Sequence, residues 1–259
     1  MMNYKGKVIH IAQGLLIAAL LLSMAALPAM ARREHGFPKW GVGGAFGSAI
    51  SAPPGVEGQG PKAVPKGGDC YGLYAEYYLP FTPVSLRAGW DGENLDYFDI
   101  GGDSDLSQLS IGARYYPAPA TWAVQPRLGA DLLYTMGRVT TPMKAARENM
   151  GTGEFTERQG VFRDPLVSLS PTVGIELRTF SSLSFTIDYA YRIGVGSKID
   201  VESESNMPPG GYRMKGAMNR HCISIGMKAD FPFRWETEDS GNLVEGIIEL
   251  IIEALSGRD

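Results

Sequence analysis

The sequence has little of what most enzyme chemistry requires. It holds three His and two Cys in 259 residues. Two Cys do not make a disulfide scaffold. Past the N-terminal region only His35 and His221 remain, too few and too far apart for a His-rich metal site. There is no Gly-x-Ser-x-Gly, no His-Glu-x-x-His and no Walker loop. The net charge is −4, so no basic excess points to a nucleic-acid partner. Beyond the N-terminus no apolar run reaches the ~18 residues that a helical span needs. The chain is therefore expected to have no catalytic site, no cofactor, no metal and no nucleic-acid partner.

What is present begins at the N-terminus. Lys5 and Lys7 precede an apolar run that ends in Ala29-Met30-Ala31. A positive start, an apolar centre and an A-x-A end predict a signal peptide over 1–31. The apolar core from Leu15 to Leu27 is short for a membrane anchor. Gly is abundant, 33 residues, about 13% against a usual ~7%.

The dominant signal is alternation. In 166–193 Val167, Leu169, Val173, Ile175 and Leu177 alternate with Ser168, Ser170, Thr172, Gly174, Glu176 and Arg178. After a tight turn Leu183, Phe185, Ile187, Tyr189, Tyr191 and Ile193 alternate with Ser184, Thr186, Asp188, Ala190 and Arg192. A strand sends successive side chains to opposite faces, so each segment has an apolar and a polar face. Each is about 11 residues long, above the ~5–6 of soluble strands and near the ~9–11 that cross a bilayer as a tilted strand.

The same pattern predicts further strands at about 38–50, 69–79, 84–91, 105–116, 124–137 and 220–233. In the first, Trp40, Val42 and Phe46 share a face, while Gly41, Gly43, Ala45 and Gly47 line the other, as if crowded by something bulky inside. Between strands, 51–68, 92–104, 138–165 and 195–219 read as long loops, the third with one helical turn around Met143–Asn149. The other connections are short. Long and short connections alternate, as in an up-and-down barrel with both termini on the short-turn side.

The leader, eight alternating strands, loop order and aromatic-ended last strand resemble the small outer-membrane β-barrel family, to which outer-membrane protein A and protein X belong. The resemblance covers about 38–235. It implies an all-β, eight-stranded antiparallel transmembrane barrel in a bacterial outer membrane. It also implies contact with outer-membrane lipid and lipopolysaccharide, and insertion by the barrel-assembly machinery. The chain runs 24 residues past Trp235, where such proteins often end.

A secreted lipocalin-like barrel would also alternate, with its apolar face inward. The charges on the polar face speak for the opposite sidedness. Arg87, Arg114, Arg127, Arg178, Arg192 and Lys228 balance Glu76, Asp91, Asp131, Glu176, Asp188 and Asp230, six to six. Only one is Lys, whereas solvated sheet edges use Lys freely and Arg suits matched, buried carboxylate pairs. An eight-stranded barrel has an interior that side chains just fill. The expectation is an interior of ion pairs and no open pore. Trp40, Tyr77, Trp90, Tyr115 and Trp235 are candidates for interfacial aromatic girdles.

Three further features are weighed. A lipid A-modifying barrel enzyme of the deacylase type needs His and Ser two residues apart on the outer face. His221 is outward, but position 223 is Ile and Ser224 points inward. Asp91, Glu93, Asp96, Asp99, Asp103 and Asp105 lack calcium-loop spacing and read as a solvated acidic loop. Cys70 and Cys222 share a face two strands apart, about 9–10 Å, beyond the ~7 Å that a disulfide bridges, so two free thiols are expected.

Residues 241–256 read as an amphipathic helix capped by Asn242, with Glu245, Glu249 and Glu253 in one stripe and an apolar face of Leu243, Ile247, Leu250, Ile251 and Ala254, widened by Val244, Ile248 and Ile252. The expected organisation is a signal peptide at 1–31, the barrel at 32–235 and a periplasmic tail at 236–259. The barrel mouth, the membrane interface and a partner helix are the candidate covers for the tail's apolar face. The function expected is a non-enzymatic outer-membrane barrel with surface-binding or adhesive loops.

Overall fold

The computed structural model describes residues 38–52, 55–58, 67–97, 102–119, 122–137, 140–149, 155–206, 209–233 and 239–241. The signal peptide, the Trp235 girdle position and residues 242–256 of the expected helix lie outside these. Among the described residues, strands form two sheets. They are β1 (Trp40–Ser51), β2 (Gly55–Gly58), β3 (Gly67–Tyr78), β4 (Val84–Tyr97), β5 (Gly102–Tyr115), β6 (Val124–Met136), β7 (Thr140–Asn149), β8 (Phe155–Arg163), β9 (Val167–Arg178), β10 (Leu183–Val195), β11 (Lys198–Asn206), β12 (Pro209–Gly216) and β13 (Arg220–Phe231).

Eight of them close a barrel in the order β1-β13-β10-β9-β6-β5-β4-β3, every pair antiparallel. The expected hairpin at 166–193 is β9–β10, in register from Ser184↔Arg178 to Val195↔Val167. The seam joins the two ends of the barrel chain, from Trp40↔Phe231 to Ser51↔Arg220. Closure leaves no unpaired strand edge in this sheet.

The sidedness is inverted relative to a water-soluble protein. Outside, Phe46, Leu73 and Ile111 are 63, 64 and 64% exposed. Inside, Arg127, Arg220 and Lys228 are among the largest fully buried side chains. In water both faces would be unfavourable, through exposed hydrocarbon on one side and desolvated charge on the other. A soluble, lipocalin-like barrel needs the opposite arrangement.

The bulk that the small face of β1 accommodates is Tyr74. Its ring packs against Gly43, where an added Cβ would lie 2.5 Å from Tyr74 Cζ. The Arg87 guanidinium stacks on the same ring, 3.5 Å from its centroid.

The long connections depart from expectation. The acidic stretch 92–104 is largely strand, because β4 runs on to Tyr97 and β5 begins at Gly102. The helical turn expected at Met143–Asn149 is strand β7, paired with β8. Cross-strand pairing overrides the local helix preference of Met, Lys, Ala, Arg and Glu. Pro142 fits because β7 is an edge strand.

Together β2-β12-β11-β8-β7 make a five-stranded sheet beyond the long-loop end. The chain bends into it at Gly137 and Gly196, both with φ of 70°. One face of the sheet buries Phe162, Ile199, Val201, Tyr212 and Met214. These belong to a cluster that also contains Ala49, Cys70, Leu95, Met218 and Cys222 of the barrel's long-loop end. The corner is pinned by hydrogen bonds from Met218 N to Ser197 Oγ, 2.8 Å, and from Gly194 N to Asn219 Oδ1, 3.1 Å.

Candidate functional site

The alternation of β3, β6, β9, β10 and β13 turns one charged residue inward every few positions, and the closed barrel brings them together. Near the short-turn end, Lys228 Nζ lies 2.5 Å from Glu176 Oε2, 3.7 Å from Glu76 Oε2 and 3.9 Å from Asp230 Oδ1. It also donates to Tyr78 OH at 2.5 Å, and that hydroxyl donates to Asp230 Oδ1 at 2.9 Å. Tyr116 OH donates to Glu76 Oε1 at 2.6 Å, and Ser85 Oγ donates to the same oxygen. Arg178 Nε sits 3.1 Å from Glu176 Oε1.

Midway, two forks grip carboxylates with both oxygens. Arg114 donates to Asp131 at 2.8 and 2.6 Å. Arg127 donates to Asp188 through Nε at 2.8 Å and through its terminal nitrogen. Planar guanidinium–carboxylate pairs of this kind give direction as well as attraction. Arg87 departs from the expected ion pairing. It lies opposite Glu76 in the ladder, yet its guanidinium stacks on Tyr74.

Toward the long-loop end a further cluster forms. Arg192 reaches Asp91 Oδ1 at 2.8 Å and Glu93 Oε1. Arg220 Nε is 2.5 Å from Glu93 Oε2, and its other nitrogens meet Met218 O at 3.2 Å and Gln108 and Ser168 at 3.4 Å. Asp91 and Glu93 thus sit inside the barrel, not in a solvated loop. With Arg220 and Glu93 added to the six-to-six balance, seven cations face seven carboxylates.

The sequence reading left out Glu93 and Arg220, although both continue the inward parity of their strands (Ser85, Arg87, Gly89, Asp91, Glu93; Arg220, Cys222, Ser224). Tyr78, Tyr116 and Gln108 also belong to the network, on the same parity. Cys70 and Cys222 are both free and buried. Cys222 Sγ is 3.6 Å from Glu93 Oε1.

The side chains leave little room. A polar cavity of about 40 Å³ lies between the upper and lower clusters, beside Arg87, Asp91, Arg114, Asp131, Asp188 and Arg192. That is space for one to a few waters.

On the outer face His221 faces outward as expected, with the Tyr189 hydroxyl 2.8 Å from its Nδ1. Ile223, two residues on, is 55% exposed. Aromatic rings gather at the short-turn rim, where Trp40 and Tyr77 lie 4.8 Å apart, and again higher up, where Tyr71 and Trp90 lie 5.6 Å apart.

The outward face of the second sheet carries a different pattern. Asp200 is 2.9 Å from Lys198 Nζ and 3.0 Å from Arg213 Nε, and Arg213 also approaches Glu202 at 3.4 Å. Hydrogen bonds from Arg213 and then Lys198 hold the Asp200 carboxyl down at about 2, and those from Asp200 raise the Arg213 guanidinium. This is an exposed, mixed-sign surface.

No protein-family model matches the chain, and no curated protein matches it. Several solved structures are similar in shape. One is Neisserial surface protein A, at 15% identity, covering 74% of this chain and 97% of that one with a TM-score of 0.45. Another is the N-terminal β-barrel domain of Pseudomonas aeruginosa OprF, at 14% identity, with 75% and 98% covered and a TM-score of 0.42. A third is the Escherichia coli outer membrane protein W, at 12% identity, with 76% and 100% covered and a TM-score of 0.35.

Proposed function

We propose that the chain is a non-enzymatic barrel of a bacterial outer membrane whose interior is filled by ion pairs and whose five-stranded outer sheet is a binding surface. The observation that carries the membrane reading is the pairing of an apolar outer belt with a buried, charge-balanced interior in a closed barrel. Hydrocarbon solvates such a belt, and closure satisfies the backbone groups that lipid cannot. The belt would contact outer-membrane lipid and lipopolysaccharide, and insertion would rely on the barrel-assembly machinery.

A structural role suits the interior, since its charges neutralise one another and the cavity beside them is small. Attachment to a surface or a host molecule suits the outer sheet, which is built from the long connections and displays paired charges of both signs. A non-enzymatic role is supported on the lipid-facing side by Ile223, which stands where the deacylase pattern needs a Ser, so that the hydroxyl beside His221 is the phenol of Tyr189.

Membrane fractionation with heat-modifiable gel mobility tests the membrane reading. The chain is expected in the outer-membrane fraction, with an unheated band that shifts on boiling. Recovery as a soluble periplasmic protein would sink it. The mass of lipid A is expected to be the same with and without the protein; a changed acyl pattern would restore the enzyme reading.

A further inference from the structure

The ion-pair clusters fill the middle of the barrel but do not cover its short-turn mouth. A cavity of about 760 Å³ opens there. Its floor includes Tyr78, Tyr116 and Arg178, and one wall is the turn that carries Leu79, Pro80 and Phe81. Phe81 is fully exposed, and its φ of 60° is left-handed, which a bulky residue rarely adopts. A strained backbone that holds an apolar ring in the open at the edge of a cavity marks a contact surface.

The chain itself delivers an occupant to this place. Asp239 is buried, and its carboxylate accepts a hydrogen bond from Ser181 N at 2.9 Å. Ser181 lies three residues after Arg178 of the cavity floor. Asp239–Gly241 is helical, just before the expected Asn242 cap and at the rim of the mouth. Eighteen residues follow, 242–259, and they include the Leu243, Ile247, Leu250 and Ile251 face. Eighteen helical residues, 239–256, would span ~27 Å. Eight tilted strands enclose a circle about 16–17 Å across, so such a helix crosses the mouth. Glu245, Glu249 and Glu253 lie on the opposite side of that helix and would stay in water. An acidic outer stripe suits docking on protein better than on an anionic lipid surface.

We propose that residues 239–256 form an amphipathic helix that lies across the short-turn mouth of the barrel, its apolar face seated against Phe81 and the cavity it borders. This placement does not depend on what the outer sheet binds.

The test replaces Phe81 with the photo-crosslinker p-benzoylphenylalanine in the full-length protein in its own membrane. Digestion and mass spectrometry after irradiation identify the partner. The expected product joins position 81 to 243–254 of the same chain. Burial of two Ile is a large part of such a contact, so I247D/I251D is expected to cut the yield at least about tenfold. Heat-modifiable mobility should be unchanged in both proteins, which shows that the barrel has formed. Adducts to lipid, adducts to a second copy, or a folded barrel without any tail adduct would each overturn the proposal.

Discussion

Lys228 Nζ and Glu176 Oε2 meet at 2.5 Å, and neither side chain has any exposed surface. The two strands that carry them are separated in the barrel by β10. The pair therefore ties the network across strands that share no backbone hydrogen bonds. It joins Glu76, Asp230, Tyr78 and Tyr116 to the same point.

Removing one member should strand the others. Lys228→Met is expected to destabilise the barrel by about 3–5 kcal/mol, because Glu76 is left buried without its cation and Glu176 keeps only Arg178 and the more distant Arg127. The double variant K228M/E176Q should cost less than the sum of the two singles, with a coupling of about 0.5–3 kcal/mol. Urea unfolding of the protein refolded into vesicles measures both. Additive losses would show that the pair does not act as a unit.

The outer belt should reject charge. Ile111→Arg places a guanidinium on the lipid-facing side and is expected to cost about 2–4 kcal/mol if the position lies near mid-bilayer. The same unfolding assay reads it, and the loss should shrink for Tyr115→Arg at the short-turn rim. Equal and negligible effects at both sites would count against a hydrocarbon-facing belt.

Gly43 leaves room for one ring. A methyl at this position meets Tyr74 Cζ and the Met227 carbonyl oxygen. Gly43→Ala is expected to cost about 1–3 kcal/mol by overpacking. Tyr74→Leu in the same protein should recover part of that loss, although it also removes the surface on which Arg87 stacks. A Gly43→Ala protein as stable as the parent would mean that the ring moves freely.

The outer sheet should respond to acid through Asp200. Its carboxyl is held at about 2, below the 3.8 of an unperturbed Asp, by Arg213 and Lys198. A depressed value means that the ionised form favours the folded sheet. The contribution is complete above about pH 4 and disappears as the pH falls through 2. A carbon-detected NMR titration of Asp200 should show its midpoint displaced downward, and Arg213→Ala should move it back toward 3.8. High salt should weaken the displacement, because the group is near the surface.

Much of this arrangement was legible in the sequence because strand parity is a strong signal. A period of two fixes which side chains share a face, and one slip would exchange the faces completely. That is why Glu76, Arg114, Arg127, Asp131, Glu176, Arg178, Asp188, Arg192, Lys228 and Asp230 could be placed on one side without knowing the curvature. Arg87 shows the limit. Parity puts it inside but does not say whether a carboxylate or an aromatic ring will receive it.

The second sheet was harder to see. Met143–Asn149 is built from good helix formers, and only pairing with β8 makes it a strand. Lys198–Ser203 alternates, with Ile199, Val201 and Ser203 on one face, but the run is short and polar and follows a turn. Glu93 was hidden because Gly92 and Asn94 suggest that the strand has already ended, whereas Arg220 is the first residue of the strand expected at 220–233 and parity alone would have turned it inward.

The seam between β1 and β13 has a consequence for how the barrel closes. Trp40 and Phe231 are neighbours in the ladder but stand 191 positions apart in the chain (231 − 40). The barrel cannot close without both ends of the chain. Without Arg220–Phe231, β1 and β10 each keep one row of unpaired amides and carbonyls, and Lys228 is missing from between Glu76 and Glu176. Backbone completion and charge neutralisation therefore depend on the same strand, and a chain stopped short of residue 220 has neither.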